Sequence, residues 1–129
     1  MKWLLTLAAL LVSTPAYAQE FDPRDPVTGN GLLAICSLDD PVSRTACGLY
    51  VRGLDHMLNT LQVHGQVREI DCSPGSSTSN QKRDVLIAYL RANPQSRHLG
   101  SPLLFMRAMI AAFPCDPSQP FPPDRARPL

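Results

Sequence analysis

The sequence predicts an all-α fold, a small disulfide-bonded bundle of four to five helices, and three observations carry that expectation. Apolar residues recur at three-and-four spacing in separate segments, helix-capping and helix-stopping residues bracket those segments, and nothing alternates long enough to require a sheet. At 129 residues the chain has room for one domain of ordinary size and no more.

Residues 1–18 read as a cleaved signal peptide: a cationic start at Lys2, an apolar run from Trp3 to Val12, the helix-breaking Pro15, and Ala16-Tyr17-Ala18 at the junction. A membrane-spanning helix needs about 20 apolar residues, roughly twice the length of this run, so the segment is expected to be removed and the protein delivered to the periplasm. The mature domain would then occupy residues 19–115, with residues 116–129 as a proline-rich disordered tail.

Within the domain, Asn30 is placed to cap a first short helix through Leu32, Leu33, Ile35 and Cys36, stopping near Asp39. The second helix has the clearest boundaries, because Asp40 is a capping residue, Pro41 suits the first helical position, and Gly65 stands where helices commonly end. Its buried face should comprise Cys47, Tyr50, Val51, Leu54, Met57, Leu58 and Leu61, with Ala46 and Gly53 small enough on the flank for a second helix to approach. A breaker-rich loop runs from Gly65 to Ser79. It leads into a capping box, Thr78 with Gln81, and a third helix that ends before Pro94 and turns Val85, Leu86 and Tyr89 inward. Ser101 as cap and Pro102 at the first position open a fourth helix, apolar on nearly every side from Leu103 to Phe113. Such a helix either sits at the bundle centre or serves a homodimer.

Charge excludes several function classes. The chain has 12 basic and 11 acidic residues, and loss of Lys2 with the signal leaves 11 against 11, so neither nucleic acid nor an anionic membrane is an expected partner. The sequence holds no G-x-S-x-G elbow, no glycine-rich phosphate loop, no H-E-x-x-H and no EF-hand loop, which points away from an enzyme and from any cofactor. His56 follows Asp55 directly, and adjacent helical residues diverge by about 100°, so the pair does not form an oriented acid–base couple. Cys36, Cys47, Cys72 and Cys115 form no C-x-x-C, which makes two disulfides in an oxidising compartment the expectation and leaves no metal site.

One ordered set of residues is distinctive. It comprises Cys47-Gly48-Leu49-Tyr50-Val51-Arg52-Gly53-Leu54-Asp55, then Cys72 with Pro74, Gln81 with Val85, Tyr89-Leu90, Pro94, Ala108, and Phe113-Pro114-Cys115. In order and spacing this set resembles the Rap/Tai immunity family of bacterial type VI secretion, from the first cysteine to the last. The resemblance implies a small helical periplasmic protein without catalytic groups. Such a protein would bind a peptidoglycan-cleaving effector, an amidase or other cell-wall hydrolase, and block its active site. A periplasmic structural, chaperone-like or envelope-stress role is the competing reading.

Four cysteines allow three connectivities. An antiparallel hairpin of the third and fourth helices would bring Cys72 and Cys115 to the same end, leaving Cys36 to pair with Cys47 across the first turn; the crossed patterns stay open at this level. A protein that inhibits without catalytic groups must occupy a cleft, for which rigid loops beside stapled helices are suited. The candidate partner-binding residues are accordingly Arg68, Glu69 and Asp71 in the loop anchored by Cys72, and Arg97 and His98 in the turn between the third and fourth helices.

Overall fold

A computed structural model describes residues 25–118; the signal-peptide reading of residues 1–18 and the tail from 119 onward lie outside the described residues. Four α-helices follow in order, α1 (Gly29–Cys36), α2 (Pro41–Val63), α3 (Ser79–Ala92) and α4 (Ser101–Ala112), with a short 3-10 turn at Pro94–Ser96 that the sequence reading had not anticipated. Among the described residues there is no strand; a single bridge joins Thr28 to Gly100. The all-α bundle is the predicted class.

Local chemistry accounts for most of the helix ends. Asp40 accepts from the Ser43 amide at 2.9 Å and Pro41 opens α2. At its far end Gly65 adopts φ +66°, the Gly65 amide donates to the Gln62 carbonyl and the Gln66 amide to that of Leu61, which is a Schellman stop. The α3 capping box is complete, Gln81 N to Thr78 Oγ1 at 3.2 Å and Thr78 N to Gln81 Oε1 at 2.7 Å.

Two caps differ from expectation, for tertiary reasons. Thr28, not Asn30, caps α1: its hydroxyl accepts from the Gly31 amide, while the backbone amide of Asn30, already inside the helix, donates to the Arg97 carbonyl at 2.9 Å. Ser101 does not cap α4. Gly100 holds that position, and the buried Ser101 hydroxyl instead meets Tyr50 Oη at 2.6 Å and donates to the Pro26 carbonyl. Thr28→Ala should therefore lower stability by about 1 kcal/mol, while Asn30→Ala should cost only a few tenths, as read by thermal denaturation.

The core is formed by Leu32 of α1, Val51 and Leu58 of α2, Leu86 and Leu90 of α3, and Leu104, Phe105, Ala108 and Met109 of α4. Gly29 lets α1 lie close: a side chain there would run into Leu104 and approach Leu90 and the Arg97 carbonyl at 3.0 Å. Some expected burial is absent. Met57 is 60 % exposed, and Gly53 faces open space, so no helix approaches that flank. The α4 helix is not enclosed on all sides, because Leu103, Met106 and Ile110 form an exposed stripe.

Two disulfides staple the bundle, Cys36–Cys47 across the α1–α2 turn and Cys72–Cys115 across the open end of the α3–α4 hairpin, in the preferred pairing. No helix among the described residues is long and apolar enough to cross a membrane.

Candidate partner-binding site

The segment between α2 and α3 alternates anchored and presented residues. After the Gly65 stop, Val67 and Ile70 pack against the hydrophobic core, and between them Arg68 and Glu69 are exposed. Three successive backbone amides then tie the segment down. Gln62 Oε1, on the last turn of α2, accepts from Ile70 N at 2.9 Å and Asp71 N at 3.1 Å, and Cys72 N donates to the Phe113 carbonyl at 3.2 Å. The Cys72–Cys115 bond fastens the same point covalently to the end of α4. Arg68 and Glu69 are thus held on a short arch whose two feet are fixed, and little ordering remains to oppose association.

Beneath the arch lies a buried charge cluster. Lys82 Nζ donates to Asp55 Oδ1 at 2.8 Å and to Asp71 Oδ2 at 2.7 Å, with side-chain exposures of 11 %, 13 % and 4 %. The other carboxylate oxygens are occupied too: Ser79 Oγ donates to Asp55 Oδ2 at 2.7 Å and Ser73 N to Asp71 Oδ1 at 3.0 Å. Asp55 also sits against the first turn of α3, where the helix dipole favours an anion. Burial opposes ionisation of Asp71, but the hydrogen bonds from Lys82 and Ser73 and the ammonium charge outweigh it and hold the carboxyl below its ordinary range. Burial likewise opposes the charged form of Lys82, and the two aspartates more than compensate, so its ammonium is held above its usual range.

The five loop and turn residues singled out by sequence therefore have different placements. Arg68 and Glu69 are presented to solvent, whereas Asp71 faces inward and fixes the arch. Arg97 is half-buried and donates from Nε to the Leu90 carbonyl at 2.6 Å and from Nη2 to that of Arg91 at 3.0 Å, closing the C-terminus of α3. His98 beside it is exposed. Because α3 separates the two groups along its length, the arch and the Arg97–His98 turn occupy opposite ends of the bundle, about 20 Å apart. They do not form one continuous patch.

Sequence reasoning missed Lys82, Asp55 and Gln62. The available signal was a lysine in register with Leu86 and Leu90 on the buried face of α3, four and eight residues along. Its acidic partners lie 27 and 11 residues away in sequence, which local spacing does not reveal. His56 is exposed, whereas the Asp55 carboxylate is engaged by Lys82 and Ser79, and among the described residues no three His, Cys, Asp or Glu side chains converge as a metal site would need.

No curated protein and no solved structure gives a significant match to the chain. A family model described as Rap1a immunity proteins matches residues 28–115, which runs from the α1 cap to the last cysteine and includes both disulfides, the charge cluster and the arch. The chain belongs to the Rap1a immunity protein family.

Proposed function

We propose that this protein resides in the periplasm and neutralises a peptidoglycan-cleaving type VI secretion effector, an amidase or related hydrolase, by inserting the Arg68–Glu69 arch into or across its active-site cleft. Family membership supports an immunity role against a secreted effector. The observation that carries the finer reading is the arch itself: two opposite charges exposed at its crest and every adjoining foot fixed by a hydrogen bond, a core contact or a disulfide. Preorganisation of this kind lets the contact energy appear as affinity instead of being consumed in ordering the loop. In this reading Asp71 and Arg97 position backbone, while Arg68, Glu69 and, at the far end, His98 are available to a partner.

The test is retention of candidate cell-wall hydrolases on the tagged, oxidised protein, with hydrolase activity measured in the complex. A stoichiometric hydrolase that loses activity on binding is the expected result. The double charge reversal Arg68→Glu/Glu69→Arg should weaken that complex at least tenfold and leave the melting temperature unchanged, since both side chains are exposed. Capture of unrelated unfolded proteins without a hydrolase would favour a chaperone-like envelope role, and an unaltered affinity of the charge-reversed protein would move the contact away from the arch.

A further inference from the structure

A cleft of about 490 Å3 opens on the side of the bundle away from the arch, between the α1–α2 turn and the outer flank of α3. Its α3 wall is Arg83, Asp84, Ile87 and Arg91, of which Arg83, Ile87 and Arg91 form a stripe at successive four-residue steps; Asp39 of the α1–α2 turn and Arg44 of the first turn of α2 face it, and the Cys36–Cys47 bond closes one side. The three guanidinium groups are weakly committed. Arg44 pairs with Asp39 at 3.2 Å and Arg83 with its neighbour Asp84 at 2.8 Å, both aspartates being largely exposed, and Arg91 has no ion-pair partner among the described residues. Exposed pairs of this kind are worth less than about 1 kcal/mol each, so they hold Arg44 and Arg83 weakly; with Asp39 and Asp84 remaining in the lining, the cleft keeps an excess of one positive charge, and Arg91 supplies it.

The stripe has the order cation, apolar, cation, with side chains about 6 Å apart along the helix axis. An extended peptide places alternate side chains on one face about 7 Å apart. Carboxylate, apolar and carboxylate groups at positions i, i+2 and i+4 of such a segment therefore match Arg83, Ile87 and Arg91 one to one. Guanidinium forks donate bidentately to carboxylates, which a lysine stripe would not do. The disulfide-bonded turn keeps the opposite wall in place, so the cleft needs no closure to be used.

We propose that this cleft receives an extended acidic segment, with an apolar residue between two carboxylates, from the bound effector. The segment is a second point of contact beyond the arch, and its assignment to the effector rests on the immunity reading above. The chemistry of the cleft is tested without any effector. The full-length oxidised protein, labelled with 15N and 13C, is titrated with the peptide acetyl-Glu-Ser-Leu-Ser-Glu-amide, and with acetyl-Gln-Ser-Leu-Ser-Gln-amide as its uncharged counterpart. Saturable shifts of the Arg83 and Arg91 Nε–Hε signals and the Ile87 methyls are expected. The affinity should fall at least tenfold for the Gln peptide and for Arg91→Glu, and it should weaken as salt is raised. Absence of saturable shifts, equal binding of the Gln peptide, or an unchanged affinity of Arg91→Glu would overturn the proposal. Because no effector enters this titration, its failure leaves the arch reading intact, and failure to find an inhibited hydrolase would not be mistaken for failure of the cleft.

Discussion

Lys82→Met is expected to destabilise the domain by about 3–5 kcal/mol at neutral pH, read from the shift of the urea midpoint. The substitution keeps most of the volume and apolar stem of the side chain, so cavity formation contributes little. Its effect comes from Asp55 and Asp71, two nearly buried carboxylates whose shared ammonium is gone. A small domain has about 5–15 kcal/mol of stability in all, so this loss is a large part of the total. The triple substitution Lys82→Met/Asp55→Leu/Asp71→Leu should be markedly less harmful than Lys82→Met alone, because no charge is then left without a partner.

The same cluster sets the pH range of the fold. Asp71 is held below its ordinary range, so its contribution is present above about pH 4 and is lost as pH falls through its lowered native value. Lys82 is held above its ordinary range, so its contribution is present below about pH 10 and is lost as pH rises through its raised native value. Between those limits stability from the cluster is flat. In Lys82→Met the acid limb should reverse: protonation then relieves buried, unpaired carboxylates, and the variant should recover part of its deficit on acidification from neutral pH.

The helices were legible because their signals are local. Asp40-Pro41, Gly65 and the Thr78–Gln81 box act within one turn of themselves, and the structure places α2 between the first two and begins α3 at the third. An antiparallel hairpin of the third and fourth helices favours pairing of Cys72 with Cys115 while leaving the crossed patterns open, and the structure has that pairing. The misreadings share the opposite cause. Asn30 and Ser101 are good caps by type, but tertiary contacts override them: the Gly29 and Asn30 backbone amides bond to the Leu99 and Arg97 carbonyls, which starts α1 at Thr28 and leaves Asn30 inside the helix, and Tyr50 and Pro26 engage the Ser101 hydroxyl. Asp71 had the look of a free loop acid because its partner, Lys82, belongs to a helix that begins beyond the loop. The arch was visible only as a polar stretch beside a cysteine. What makes it a candidate binding element is Gln62, a side chain on another element whose carbonyl oxygen satisfies two successive loop amides.

Removal of the second disulfide should separate the role of the arch from that of the bundle. With a sequence separation of 43, loss of Cys72–Cys115 in Cys72→Ala/Cys115→Ala releases about 4 kcal/mol of chain entropy in the unfolded state, against about 3 kcal/mol for the separation of 11 in Cys36–Cys47. Those two costs differ little, so global stability alone would not distinguish the bonds. Their local consequences differ, because Cys72 adjoins the Ile70 and Asp71 amides while Cys36–Cys47 lies at the other end of α2. Native-state hydrogen exchange should therefore show Ile70, Asp71 and Cys72 losing protection by more than the global change in Cys72→Ala/Cys115→Ala, and by only the global change in Cys36→Ala/Cys47→Ala. Where circular dichroism shows the fold still intact, the first variant should also bind its effector at least tenfold more weakly, with Arg68 and Glu69 unaltered. Such a loss measures the ordering that the disulfide had already accomplished before the partner arrived. An effector that bound the opened loop as tightly as the stapled one would instead show that the fixed feet of the arch serve the fold and not recognition.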